Sequence, residues 1–202
     1  MDRGALNGAP PFDKAVGNRL IDGRSHQYMK LTRMILCLIA ALALAGCATQ
    51  MPTTGQKAPL VEGKDQDGNE WKLSDDIGKT AVLLYFYPKD NTPGCTKEAC
   101  GFRDGMAELK IAGVKVVGVS FDDADSHKKF VFQYNLNFPL IADTDGEIAD
   151  AYVVRRKPGA MMDRRVSFLI DLDGRIVHVT ESPDANVHLT EMQAAAARLP
   201  KI

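Results

Sequence analysis

AVLLYFYPKDNTPGCTKEAC, residues 81–100, is the stretch on which the reading of this chain turns. Ala81 to Tyr87 is an unbroken apolar run of strand length, and Pro88 stops it. A run without polar alternation fits a central strand covered on both faces. A short polar loop follows. Thr92 or Asn91 can cap the next helix, and Pro93 suits its first turn. Strand, loop and helix together deliver Cys95 into that first turn, where unpaired N–H groups and the helix dipole favour a thiolate. Thiols so placed ionise at about 3.5–7.5, against about 8.5 when free.

Ionisation alone does not make a fast nucleophile. About 3% of a free thiol is ionised at pH 7, so complete ionisation gains only about 30-fold, roughly 2 kcal/mol. Breaking an O–O bond at sulfur also needs donors fixed around the departing oxygen. Thr92 offers a hydroxyl, and the backbone N–H groups near Gly94 and Cys95 point the same way. Glycine at 94 is expected to leave room for a substrate.

Outward from this stretch, Val114–Ser120 and Val166–Ile170 read as further strands. Arg175–Thr180 follows as another after an Asp173-Gly174 turn. Helical patterns lie at about 94–110, 124–134, 146–152 and 187–198. Alternating strands and helices indicate α/β architecture with helices on both faces of one sheet. Asp67-Gly68-Asn69 reads as a hairpin turn, an N-terminal extension. The hairpin and the last strand pair are expected to make the sheet mixed.

The front of the chain has another character. Residues 1–28 are polar and Gly-rich, and they read as an over-extended N-terminus. From Met29, the charges Lys30 and Arg33 precede an eleven-residue apolar run, Met34–Leu44. A helix of that length spans about 16 Å, against about 30 Å for a bilayer core. Residues 29–46 therefore read as a signal peptide. Leu44-Ala45-Gly46-Cys47 resembles the lipobox of bacterial lipoproteins, which implies cleavage before Cys47 and its acylation. The expected location is the cell envelope, lipid-anchored and facing the periplasm, with the outer membrane favoured because Ala48 is not acidic. Residues 47–56 read as a tether and 57–202 as one domain.

Four cysteines occur: Cys37, Cys47, Cys95 and Cys100. Cys37 leaves with the signal and Cys47 carries lipid, so Cys95 and Cys100 remain as thiols. From Cys47 onward there are 19 Lys and Arg against 23 Asp and Glu, a net of −4. That balance carries no footprint for nucleic acid. Two cysteines without a His or Cys partner make a poor zinc site, and no cofactor is expected. A static disulfide and a protein disulfide exchanger remain open, although an exchanger normally shows C-x-x-C.

Thr92-Pro93-Gly94-Cys95, with Pro88 upstream, resembles the peroxiredoxin signature Pro-x-x-x-Thr-x-x-Cys. DNTPGCTKEACGFRD, Ser126-His127-Lys128-Lys129-Phe130 and Arg165-Val166-Ser167-Phe168-Leu169-Ile170-Asp171 are similar to the bacterioferritin-comigratory (PrxQ) subfamily. The resemblance covers about residues 57–199. It implies a thioredoxin-like fold, with Cys95 as the peroxidatic residue and Thr92 and Arg165 as partners that orient the peroxide. Pro88, Pro93 and Gly94 would border the substrate. It further implies that Cys100 resolves the Cys95 sulfenic acid within the chain, that a thioredoxin-like dithiol is the reductant, and that the protein is a monomer. The competing function is an extracytoplasmic thiol-disulfide oxidoreductase.

Residues five apart on a regular helix lie about 8–9 Å apart at Cα, and a disulfide needs less than about 7 Å. A Cys95–Cys100 bond therefore requires the helix start to unwind. Arg155, Arg156 and Lys157 read as an exposed loop, His127 as a helix-surface residue and His178 as structural.

Overall fold

The computed structural model describes residues 50–200. The signal-like segment, Cys37 and Cys47 lie outside them. Element order is β1 (Glu62–Lys64), β2 (Glu70–Lys72), α1 (Leu73–Asp76), β3 (Ala81–Phe86), α2 (Pro93–Asp104), α3 (Met106–Ile111), β4 (Val114–Ser120), α4 (Ala124–Tyr134), β5 (Leu140–Ala142), α5 (Glu147–Ala151), β6 (Val166–Ile170), β7 (Ile176–Glu181) and α6 (Ala185–Ala196). Five strands form one sheet in the order β5-β4-β3-β6-β7.

All six residues of β3 are buried, which is why its sequence shows no alternation. It lies parallel to β4 on one side and antiparallel to β6 on the other. Successive side chains still face opposite ways. Leu83 and Tyr85 pack with Cys95, Ala99 and Phe102 of α2, Phe130 of α4 and Met192 of α6. Val82, Leu84 and Phe86 pack with Trp71, Leu73, Ile148, Tyr152 and Phe168. Helices thus cover both faces, as the α/β reading requires.

Three features differ from the sequence reading. The helix expected at 94–110 is two helices, α2 and α3, meeting at Gly105. A Cβ there would lie 2.5 Å from Gln193 Nε2, so the break falls where α6 presses closest. The hairpin β1–β2 forms its own two-stranded sheet, so the mixed character of the main sheet comes from β6 and β7 alone. Finally, the stretch read as a tether is anchored from Met51 on. Gly55 N–H donates to Ile176 O at 2.7 Å, Ile176 N–H to Gln56 O at 2.9 Å, and Ala58 N–H to Gly174 O at 2.9 Å. Met51 packs against the second core, and that apolar contact holds the segment.

Candidate active site

β3 ends at Phe86, and residues 87–92 carry the chain across to α2. Asn91 takes a left-handed turn at φ 57°, a conformation Asn tolerates better than most residues. Thr92 is the extended N-cap residue and Pro93 opens the helix, as the spacing predicts. The Thr92 side chain, however, makes no capping bond. Its hydroxyl donates to the Lys89 carbonyl at 3.1 Å, which leaves its lone pairs as acceptors. The first-turn amides of α2 therefore stay free of the cap side chain.

Cys95 is buried in that first turn, 1% exposed. Arg165, immediately before β6, reaches it across the sheet, with Nη2 3.3 Å from Cys95 Sγ. The other arm of the guanidinium donates to Glu98 Oε2. Gly94 serves this arrangement. A Cβ at 94 would lie 3.0 Å from Arg165 Nη2, so the glycine also makes room for the guanidinium. Glu98 was not singled out from the sequence. The available signal was its position three residues after Cys95, on the same helix face. Burial pushes the Glu98 carboxyl up to about 7, against the opposing pull of Arg165. A cleft of about 310 Å³ opens beside Arg165, bordered by Pro88, Arg156, Glu181 and Pro183.

The loop that presents Thr92 is tied down from beneath. Asp90 is buried and accepts from Tyr87 Oη at 2.7 Å and Ser126 Oγ at 2.8 Å. Its Oδ2 lies 2.9 Å from His127 Nδ1, and His127 Nε2 lies 3.2 Å from the Ile141 carbonyl. His127 is thus fully buried, not on the helix surface: its ring links the loop, α4 and β5. Its two ring nitrogens bridge the Asp90 carboxyl and the Ile141 carbonyl. Asp90→Asn replaces one acceptor oxygen of this network by an amide donor. A buried group left without its partner costs about 1–3 kcal/mol, and a urea titration is expected to show a loss of that size. An unchanged midpoint would mean that the contact contributes nothing net.

Arg155 is likewise no free surface charge. It pairs with Asp150, donates to the Ala160 and Gly146 carbonyls at 2.9 and 3.2 Å, and sits 4.7 Å above the Phe121 ring. Arg156 and Lys157 are exposed, as expected. Arg164 pairs with Glu181 at 2.6 Å, leaving Arg165 as the arginine at the sulfur.

Cys100 is half-buried on α2, and both thiols are free. With α2 continuous over Pro93–Asp104, the two sit on an intact helix. The site thus combines a buried thiol, a guanidinium donor, a hydroxyl acceptor, open helix amides and a second thiol one and a half turns on. Such a set can place a peroxide between donors and acceptors and capture the oxidised sulfur afterwards.

The family model for the AhpC/TSA family matches residues 54–179. Peroxiredoxin Bcp of Escherichia coli is 43% identical over 139 residues, 66% of this chain and 88% of that protein. Among solved structures, peroxidoxin BcpB from Mycobacterium tuberculosis superposes with a TM-score of 0.70 at 33% identity, covering 74% of this chain and 99% of that one. The Xanthomonas campestris bacterioferritin comigratory protein, described for alkyl peroxide reduction, gives 0.63 at 27% identity, covering 73% and 96%. With its thioredoxin-like sheet and a guanidinium at Cys95, the chain belongs to the AhpC/TSA family as a thiol peroxidase of the Bcp/PrxQ peroxiredoxins.

Proposed function

We propose that Cys95 reduces hydrogen peroxide and organic hydroperoxides and that Cys100 resolves the product. The Cys95 thiolate attacks one peroxide oxygen. A sulfur–oxygen bond forms as the O–O bond breaks, and the leaving oxygen takes a proton to become water or an alcohol. Cys100 then displaces hydroxide from the sulfenic acid, which departs as water once protonated, and closes an intramolecular disulfide. A thioredoxin-like dithiol reduces that disulfide and is itself oxidised. The observation that carries this reading is Arg165 Nη2 at 3.3 Å from a buried sulfur. In the same frame, Arg165 and the first-turn amides stabilise the departing oxygen, and a Thr92 lone pair accepts a hydrogen bond from the peroxide O–H. Pro88 borders the cleft by which substrate enters.

Residues 29–47 support export and acylation at Cys47, and hence lipid anchoring in the cell envelope. One acyl chain anchors weakly, so stable attachment needs more than one.

Stopped-flow mixing of the reduced protein with hydrogen peroxide, followed by far-UV circular dichroism, tests the reading. Oxidation is expected to run orders of magnitude faster than for a free thiol and to end with loss of helix signal as α2 unwinds. A free-thiol rate, or a disulfide formed with full helicity, would contradict it.

A further inference from the structure

Behind Cys95 lies a buried cluster that the peroxide chemistry above does not use. Glu98 of α2, Ser167 of β6 and His188 of α6 are at most 1% exposed. One Glu98 oxygen accepts from Arg165. The other, Oε1, has no hydrogen-bond partner, and His188 Nδ1 stands 3.5 Å from it. His188 Nε2 lies 2.9 Å from the Ser182 carbonyl, which only accepts, so Nε2 carries hydrogen. Nδ1 lies 2.8 Å from Ser167 Oγ.

If Nδ1 is bare, the Ser167 hydroxyl donates to it. Glu98 Oε1 then faces a lone pair, in the interior, with no donor. An ionised, unpaired carboxylate oxygen there is costly. One proton removes the conflict, either on Oε1 pointing at Nδ1 or on Nδ1 pointing at Oε1. We infer that Glu98 and His188 hold one proton between them, and that His188 is a positioning residue that keeps the charge of Arg165 available to Cys95. This rests on Cys95 being the peroxidatic residue.

Burial raises the Glu98 carboxyl to about 7 and lowers His188, which places the shared proton on the carboxyl side. The other groups facing the pair are few. Asp184 and Glu191 approach His188 from α6 and its N-cap, and Arg165 faces it from just before β6. Tyr85 of β3 faces Glu98, and burial keeps its hydroxyl un-ionised. While the proton is present, the Glu98–His188 pair is neutral and Arg165 presents its full charge to the sulfur. Loss of the proton sets a carboxylate against Arg165. Glu98 lies above its ordinary value, so the favourable state holds below about pH 7 and is lost as pH rises through that value.

The test uses the full chain carrying Cys100→Ser, so that only Cys95 oxidation is read. Second-order rate constants with hydrogen peroxide are measured against pH, alone and with Glu98→Gln, His188→Gln or both. The parent is expected to show a descending limb above about pH 7, and Glu98→Gln to lack it. In His188→Gln the new amide donates to Oε1 and holds it ionised. The limb then slides down by about one unit, a roughly fivefold loss at pH 7 that approaches about tenfold at higher pH. On the Glu98→Gln background, His188→Gln is expected to change nothing further. An infrared difference between parent and Glu98→Gln proteins should contain the carbonyl stretch of a protonated carboxyl. That measurement stands even if the His188 variant does not fold. Equal losses from His188→Gln in both backgrounds, or no carboxyl band, would overturn the inference. A parent no faster than a free thiol would instead sink the underlying assignment of Cys95.

Discussion

Cys95→Ser is expected to lower peroxide consumption to the level of the dithiol reductant alone. A serine hydroxyl is un-ionised at neutral pH, and its oxygen is a poor nucleophile toward another oxygen. Cys100 does not substitute. It is half-buried further along α2, and the guanidinium contact goes to Cys95. The companion change, Cys100→Ser, gives a different pattern. Cys95 still reacts, so one equivalent of peroxide disappears per chain. Turnover with a thioredoxin-type reductant then falls because no disulfide closes within the chain. Following peroxide loss with and without excess dithiol separates the two. Sustained consumption by Cys95→Ser would remove the sulfur of Cys95 from the mechanism.

Arg165→Met is expected to slow Cys95 oxidation about 10²–10³-fold, the usual loss for one preorganised donor and equivalent to roughly 3–4 kcal/mol. The guanidinium works with two arms, Nη2 to the sulfur and Nη1 to Glu98. Methionine fills much of the volume and offers neither arm. Burial already raises the Glu98 carboxyl, and without the pull of Arg165 it keeps its proton through neutral pH, so the fold survives while the rate falls. Arg165→Lys is expected to recover little, because a point charge on a flexible stem does not span both partners. Stopped-flow rates for the two variants, beside their urea midpoints, check this. A wild-type rate in Arg165→Met would mean that the contact is incidental.

Much of this molecule is legible in its residues taken in order. The unbroken apolar run at 81–87 marks the central strand because only a doubly covered strand forgoes alternation. Thr92-Pro93-Gly94 before Cys95 marks a helix start, since Pro at that point costs no internal hydrogen bond. β5 escaped because three residues are too few to show a period. The break at Gly105 escaped because the apolar pattern runs through it, while the close approach of Gln193 there comes from another helix.

The sequence by itself determined the sheet's inner strands and the strand–loop–helix that seats Cys95, local facts written in spacing and residue type. Its resemblance to the peroxiredoxins added Arg165 and the resolving role of Cys100 to the candidate set. Only the tertiary structure decided that Gly94 clears space for Arg165, that Glu98 shares that guanidinium, and that His127 and His188 are buried. Each of these depends on which side chains meet across 37 to 90 positions of sequence, as in His127–Asp90 and His188–Glu98. Such meetings are set by strand order and helix packing, and no window along the chain contains them.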